Sequence, residues 1–326
     1  MRKLNVRRLI STAVAGGALA AGLASTGAAM AQNYPSKAIT YIIPFAAGGE
    51  SDVSARFQQA VFKNIAGVEV VIQYMAGAGG AQGWSQLNSM PGDGYTAMGI
   101  NLPHTVLQPM QKDVGYKTED LTPVHYFHYT PDAIFVHADS PFKTLKDLVE
   151  HAKKSPGAVT FSGSGSNSSN NLAQVRFDEL AGIKTTYIPY SGTGTAVTAI
   201  LGKQTVAGFN YAPSGITQGD KMRMLAVATE QRMPAFPDVP TFRELGYDLV
   251  GGAYRGVAVP KSTPEAIRVK LSDIINQINA EPSFKKNMED GGFVLTNVTY
   301  KDMPAFIAAK TKEYAAVADK LGIKKQ

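Results

Sequence analysis

The chain contains no cysteine among its 326 residues. Disulfide bonds and thiolate-ligated metal sites are therefore excluded. The absence does not decide the cellular compartment, because an exported protein can dispense with thiols altogether.

Recognisable catalytic motifs are also missing. The chain has no G-x-S-x-G elbow, no Walker A loop, no complete G-x-G-x-x-G and no H-E-x-x-H. His125 and His128 stand three apart on a predicted strand, which places them on opposite faces and disfavours a metal pair. The isolated His104, His137 and His151 are interpreted as surface or capping residues. We expect no catalysis, no bound metal and no cofactor.

The positive charge of the chain is concentrated at its beginning. The formal net charge is +6, but residues 1–31 contain four basic residues and no acids, which leaves about +2 for the remainder. That remainder has no basic cluster with interleaved aromatic residues. We therefore expect no nucleic-acid partner.

The first 31 residues have the pattern of a secretory signal. A basic head at positions 2–8 precedes a stretch rich in alanine and glycine at 9–24, and Ala29-Met30-Ala31 matches a cleavage site. We predict a signal peptide over 1–31, cleavage before Gln32 and an exported protein. A membrane anchor is the disfavoured alternative because the apolar stretch is short. The Sec and twin-arginine routes both stay open.

The stretch 39–56 joins a predicted strand to a predicted helix through a turn with almost no side chains. The apolar run 39–43 predicts the strand, and Ala46-Ala47-Gly48-Gly49 forms the turn. We expect Ser51 to cap the helix and Asp52 to lie in its first turn. Backbone N–H groups at the positive end of a helix dipole would then be available to an anion.

A similar order of strands, loops and helices occurs twice along the chain. The predicted strands are 39–43, 68–72 and 95–100 in the first half, then 159–161, 185–189 and 206–209 in the second. Strands that alternate with helices predict parallel sheets whose carboxyl ends bind ligands. We interpret the chain as two similar α/β lobes, with one larger sheet as the alternative.

Two extended segments predict connections between these lobes. They are 124–138 and 254–260, and two such crossings would form a hinge. The predicted division places 32–125 plus 253–326 in lobe 1 and 126–252 in lobe 2. The predicted fold class is therefore α/β, with two similar lobes joined by two crossing strands and a ligand cleft between them.

Donor-rich loops at corresponding positions of the two halves predict a binding site for a carboxylate. Gly48–Ser51 in the first half and Ser164–Ser168 in the second can present N–H and hydroxyl groups to one cleft. Arg255 could hold the ligand's negative charge or, alternatively, form a salt bridge between the lobes. Glu50 would repel an anion unless it pairs with a cation, points to solvent or accepts a hydrogen bond.

Motifs along the whole predicted mature chain resemble those of Bug-type solute-binding proteins of tripartite tricarboxylate transporters. The matching segments are YPSKAITYIIPFAAGGESD, MAGAGGAQG, PGDGYT, HADSPFKTLKDL, SGSGSNSSNNLA, YIPYSGTGTAVTAILG, MRMLAVATEQR, FPDVPTFRELGYD and GVAVPKSTPEAI. The resemblance implies a periplasmic, two-lobed binding protein of the "Venus flytrap" type that closes on a small carboxylate. It also implies delivery to the integral-membrane permease subunits of such a transporter, and we expect a monomer.

The resemblance also places the ligand between loops of the two lobes. The residues that it and the loop pattern predict at the ligand are Phe45, Ala47, Gly48, Gly49, Glu50, Asp52, Ser164, Ser166, Asn167, Ser168, Tyr190, Ser191, Thr193, Asn210 and Arg255. Glu50 departs from the small residue common in the family, and Arg255 with GYDLV resembles the citrate-binding branch. A di- or tricarboxylate is favoured, with an aromatic carboxylate as the alternative ligand. A receptor that signals to a membrane sensor kinase is the alternative role.

Overall fold

The computed structural model describes residues 32–320. The predicted signal peptide, 1–31, therefore lies outside the described residues, as do the last six residues, 321–326. No helix in the described part of the chain combines the length and the apolar composition that a bilayer crossing requires.

Strands and helices alternate along most of the described chain. The strands are β1 (Ile39–Ile43), β2 (Val70–Tyr74), β3 (Thr96–Leu102), β4 (Thr122–His137), β5 (Thr160–Gly163), β6 (Thr186–Pro189), β7 (Ala207–Tyr211), β8 (Met222–Val227), β9 (Gly252–Val259) and β10 (Val294–Val298). The helices are α1 (Glu50–Ala66), α2 (Ala81–Trp84), α3 (His104–Gln111), α4 (Leu145–Lys154), α5 (Ser169–Ala181), α6 (Thr193–Leu201), α7 (Pro213–Gln218), α8 (Glu265–Ala280), α9 (Pro282–Asp290) and α10 (Met303–Lys320).

The two predicted strand–helix repeats each form a parallel group of strands. β1 lies between β2 and β3 and is parallel to both. β5 lies between β6 and β7 and is parallel to both. The order along the connected sheets is β2-β1-β3-β9-β4-β7-β5-β6, so the two parallel groups occupy opposite ends. Their carboxyl ends carry the loops predicted to bind a ligand.

The long strand β4 is shared between the two groups. Its first part pairs with β9 from Thr122 to Pro131, and its last part pairs with β7 and β8 from Asp132 onward. The chain returns through β9, which starts opposite Pro131. Both predicted crossing segments are thus strands, and the backbone changes its pairing partner at Pro131 and Asp132.

Three separate groups of buried apolar residues lie around this change of partner. One surrounds Trp84 and the inner faces of β1, β3 and α8, while another surrounds Phe177 and the strands β5 and β7. A third contains Phe135 of β4 and Ile200 of α6. Each parallel group therefore has its own core, because its helices cover faces that the other group does not reach.

Two local predictions were wrong in detail. β2 begins at Val70 instead of residue 68. Helix α1 begins at Glu50, so its N-cap is Gly49 and not Ser51.

Candidate functional site

The loop between β1 and α1 contacts the start of helix α6. A Cβ atom on Gly194 would lie 2.8 Å from the Ala47 carbonyl oxygen and 3.1 Å from the Gly49 nitrogen. A Cβ atom on Gly192 would lie 3.1 Å from the Ala46 nitrogen. A side chain at Gly194 would force the backbone to move, and one at Gly192 would make an unusually close contact, so both positions favour glycine.

A second pair of loops meets beside the first. A Cβ atom on Gly165 would lie 2.7 Å from Cα of Gly79, and the side-chain amide of Asn167 donates to Gln111 Oε1. A cavity of about 330 Å³ opens here, with Lys112 in its wall. We call the four contacting segments, 44–49, 77–80, 163–167 and 190–194, the loop junction.

Two helices begin at the loop junction without a side-chain cap. The N-cap residues are Gly49 for α1 and Gly192 for α6, and neither provides a side-chain hydrogen bond. Helix α5, in contrast, is capped by Ser168, whose hydroxyl accepts from Asn171 N at 3.2 Å. The positive ends of α1 and α6 therefore adjoin each other with backbone donors that no side chain satisfies.

The predicted ligand residue Asp52 is engaged within its own loop. Its carboxylate accepts from Gly48 N at 2.9 Å, Tyr74 Oη at 2.7 Å and Arg56 Nε at 3.2 Å. These bonds fix the shape of the β1–α1 turn, since they tie its backbone to α1 and β2.

Glu50, the first residue of α1, is only 3% exposed and is paired with a cation. Its carboxylate accepts from Arg255 Nε at 2.7 Å and from Thr130 Oγ1 at 2.9 Å, and His128 Nε2 lies 3.4 Å away. Of the three ways in which Glu50 could avoid repelling a ligand, the structure has two: the ion pair with Arg255 and the hydrogen bond accepted from the Thr130 hydroxyl. We call Glu50, His128, Thr130 and Arg255 the polar cluster.

Arg255 lies on β9 and is 4% exposed. Its guanidinium carbon stands 4.6 Å from the centre of the Tyr211 ring, a cation–π contact. With the Asn101 amide oriented so that its oxygen faces the guanidinium, that oxygen accepts from Nε at 3.2 Å and Nη1 at 3.1 Å. The arginine thus joins α1, β3 and β7.

His104 is fully buried, so its interpretation as a surface or capping histidine was wrong. It is the first residue of α3, and its ring packs edge-on against Phe45 at 5.8 Å and Trp84 at 6.3 Å between centroids. Neither ring nitrogen has a hydrogen-bond partner among the described residues. Burial, followed by the charge of Arg255, holds the pKa of His104 and of His128 well below the usual histidine value.

Asn210 has an unpaired donor at the end of β7. The residue is fully buried, and its Oδ1 accepts from Tyr211 N at 2.9 Å and Ser214 Oγ at 3.2 Å. Its Nδ2 has no partner in the described part of the chain. An unpaired buried amide costs free energy, which a bound acceptor would recover.

The other predicted ligand residues lie in or next to the loop junction. Phe45 and Thr193 are buried, Tyr190 is half-buried, and Ala47, Gly48, Ser166 and Ser191 are exposed. Ser164 is buried beneath them, where its hydroxyl donates to Asn170 Oδ1 at 2.7 Å. The predicted set is therefore divided between the loop junction, the buried strand ends and the polar cluster.

Asp132 is a buried acid that our sequence analysis missed. It is 1% exposed and accepts from the Ser169 hydroxyl and from Asn170 Nδ2. Burial raises the pKa of Asp132 to about 6, although both hydrogen bonds oppose the shift. A lone carboxylate inside the strand segment 131–136 was the available signal, because acids are rarely buried without a purpose.

Comparisons with known proteins agree with this architecture. A family model described as the tripartite tricarboxylate transporter family receptor matches residues 54–323. BugT of Bordetella pertussis is 31% identical over 300 residues, which cover 90% of this chain and 92% of that protein. The periplasmic binding protein BugD has a TM-score of 0.84 at 27% identity and covers 90% of this chain and 100% of its own. Rpa4515 of R. palustris, solved with adipate, has a TM-score of 0.84 at 23% identity and the same two coverages.

The fold is that of a two-lobed periplasmic binding protein, which confirms the predicted fold class. The chain belongs to the tripartite tricarboxylate transporter receptor family and is a Bug-type solute-binding protein.

Proposed function

We propose that the protein captures a small organic carboxylate, with a di- or tricarboxylate favoured, and does so without catalysis. The ligand would be enclosed between lobe 1 (32–125 plus 253–326) and lobe 2 (126–252). The protein would act as a monomer in the periplasm and deliver the ligand to the membrane permease subunits of a tripartite transporter.

The loop junction is the observation that carries this proposal. Its contacts join segments from the two parallel strand groups, and they are made by backbone atoms at Gly49, Gly165, Gly192 and Gly194. Because these closest contacts are made by backbone atoms, the loops could separate and meet again at little cost. A binding protein needs such a contact in order to close over a ligand.

The donors at the junction suit a carboxylate. Each uncapped helix end would contribute about 0.3–1 kcal/mol to binding an anion. Asn210 Nδ2 adds a buried donor without a partner. The proposed contact set remains the fifteen residues predicted from the sequence, with Arg255 and Glu50 acting as a neutral pair.

A second carboxylate on the ligand would find Lys112 at the edge of the junction. Lys112 lines the 330 Å³ cavity together with Ser166 and Tyr190. The binding of adipate by Rpa4515 supports a dicarboxylate, because that protein shares this fold.

A thermal-shift screen tests the proposal. The panel would contain C4-dicarboxylates, citrate, longer diacids and aromatic carboxylates, with neutral sugars and simple cations as controls. At least one carboxylate should raise the melting temperature in proportion to the logarithm of its concentration, since it binds only the folded protein. A response to sugars or cations, with none to any carboxylate, would contradict it.

A further inference from the structure

A second cavity lies apart from the loop junction, between β4, β9, α5 and α10. Its volume is about 370 Å³, which falls in the range of small-molecule pockets. None of the fifteen predicted ligand residues lines it. We call it the side cavity.

Asp132 supplies a buried carboxylate to the wall of the side cavity. The Ser169 hydroxyl and Asn170 Nδ2 occupy one acceptor position on each of its oxygens. A carboxylate offers about four such positions, so further donors can still bind.

Arg176, on α5, supplies a cation to the same wall. It is half-buried, and its Nη1 donates to the Val250 carbonyl at 3.2 Å. Among residues 32–320, no carboxylate oxygen lies within 4.0 Å of the Arg176 guanidinium, so it forms no salt bridge there. A guanidinium has five donors, so most of its binding capacity is unused.

Gly251 separates these two opposite charges. A Cβ atom on Gly251 would lie 3.7 Å from Asp132 Oδ2 and 3.9 Å from Arg176 Nη1, both ordinary contact distances. One point beside Gly251 thus lies within 4 Å of both the carboxylate and the guanidinium, although these two groups form no salt bridge with each other.

The remaining charges of the side cavity are already paired. Lys310 Nζ donates to Glu313 at 2.7 Å and stands 4.9 Å from the centre of the Tyr254 ring. Glu230 points mostly to solvent and lies 3.5 Å from Arg243. Tyr129 packs on Tyr254 with 4.9 Å between ring centroids, and both rings give the cavity an apolar wall.

We propose that the side cavity binds a small zwitterion of the α-amino acid class. Its ammonium group would donate to Asp132 and its carboxylate would accept from Arg176, which closes the gap across Gly251. A dicarboxylate would place its second charge against Asp132, and a simple amine would leave Arg176 unpaired. This site is separate from the one proposed at the loop junction and does not depend on it.

A thermal-shift and calorimetry series on residues 32–326 would test the assignment. The probes are the common L-amino acids and, for each one that stabilises the protein, the matching deaminated acid and decarboxylated amine. We expect at least one amino acid to bind, and both of its truncated forms to bind at least about tenfold more weakly, because each lacks one charge–charge contact.

Three variants distinguish this site from the loop junction. R176Q and G251V should each weaken the amino acid at least about tenfold, which corresponds to about 1.4 kcal/mol. G251V fills the space between the carboxylate and the guanidinium without changing either charge. The protein should still fold, because a Cβ atom on Gly251 would make only ordinary contacts. G194V, at the loop junction, should weaken the amino acid less than R176Q does, because it hinders closure without changing Arg176 or Asp132.

The opposite pattern overturns the inference. Loss of amino-acid binding in G194V with retention in R176Q would place the amino acid at the loop junction. The absence of a response to every amino acid, or equal binding of the truncated forms, would also overturn it. Failure of the carboxylate proposal would appear separately, as an absent response to the dicarboxylate panel.

Discussion

The loop junction and the polar cluster lie close together between the two strand groups, but the first is made of backbone contacts and the second of side-chain contacts. The junction consists mainly of backbone, with glycines at the points of closest approach. The polar cluster consists of buried side chains, with Glu50 and Arg255 at 1% and 5% side-chain exposure.

This difference assigns movement to the loop junction and stability to the polar cluster. Contacts between glycine backbones can be broken and made again without exposing a buried charge. Separating Glu50 from Arg255 would leave two ions in a region of low dielectric constant, which is costly. We therefore expect ligand-dependent motion to occur at the junction, while the cluster stays intact and contributes to stability.

The largest expected effect comes from breaking the cluster. R255A should lower the free energy of unfolding by about 3–5 kcal/mol, because it leaves the Glu50 carboxylate buried without its cation. Urea denaturation monitored by circular dichroism would measure the change.

The double variant E50Q/R255M is the matched control. It removes both charges and should recover part of the loss, since no ion is then left unpaired. If R255A were as stable as the unmodified protein, the cluster would not be the stabilising region and the comparison would fail.

The next effect comes from blocking the junction. G194V should weaken the best carboxylate of the thermal-shift panel at least about 100-fold, or about 2.7 kcal/mol, because its side chain would meet Ala47 and Gly49 before the loops touch. Titration calorimetry would measure the affinity, and the midpoint of urea unfolding without ligand should not fall.

The control for this variant is T198V, which places the same side chain on an exposed position of α6. It should bind the carboxylate with unchanged affinity. A G194V protein that binds normally would show that the loops need not meet for capture.

Acid should lower the free energy of unfolding, because several histidines are buried in and near the strand β4, which contributes to the polar cluster. Burial lowers the pKa of His125 to about 4, and it also lowers the pKa of His104 and His128. The unfolded chain binds more protons than the folded protein below the ordinary histidine pKa of about 6.5, so stability falls as pH drops. Asp132 acts in the opposite sense, since its raised pKa of about 6 lets the folded protein take up a proton first.

His125 alone should account for about 2 kcal/mol of the stability lost between about pH 7 and about pH 5. H125Q should reduce that pH-dependent loss by a similar amount, as measured by urea denaturation at both pH values. H151Q, an exposed position on α4, controls for removing an imidazole. An identical pH dependence in H125Q and the unmodified protein would contradict the assignment.

The loop junction could be predicted from the sequence better than the polar cluster, for a physical reason. The glycine and serine loops follow predicted strands, and that local pattern is sufficient to place them at the carboxyl end of a sheet. The pairing of Glu50 with Arg255 spans 205 positions, so no local pattern indicates it. Arg255 was nevertheless predicted to form either a ligand contact or a salt bridge.

Burial of single polar residues was the other step that the sequence could not provide. His104 follows Pro103 in a segment typical of a surface turn, but Phe45 and Trp84 enclose it through tertiary packing. Thr130 and Asp132 are both buried on β4, but Thr130 pairs with β9 and Asp132 pairs with β7. Such environments depend on how distant strands meet, which periodicity along the chain does not encode.

The smallest expected effect sharpens the claim that the junction is built from backbone. Asn167 has a left-handed backbone with φ of 54°, and its side-chain amide donates to Gln111 across the junction. N167G keeps the backbone conformation and removes the amide, whereas N167A removes the amide and adds strain. N167A should therefore be about 1 kcal/mol less stable than N167G in urea denaturation.

Both variants should weaken binding of the carboxylate by a similar factor of about fivefold, because one hydrogen bond across the junction contributes about 1 kcal/mol. If N167G bound as tightly as the unmodified protein, the side chain would contribute nothing to closure and backbone contacts alone would hold the loops together.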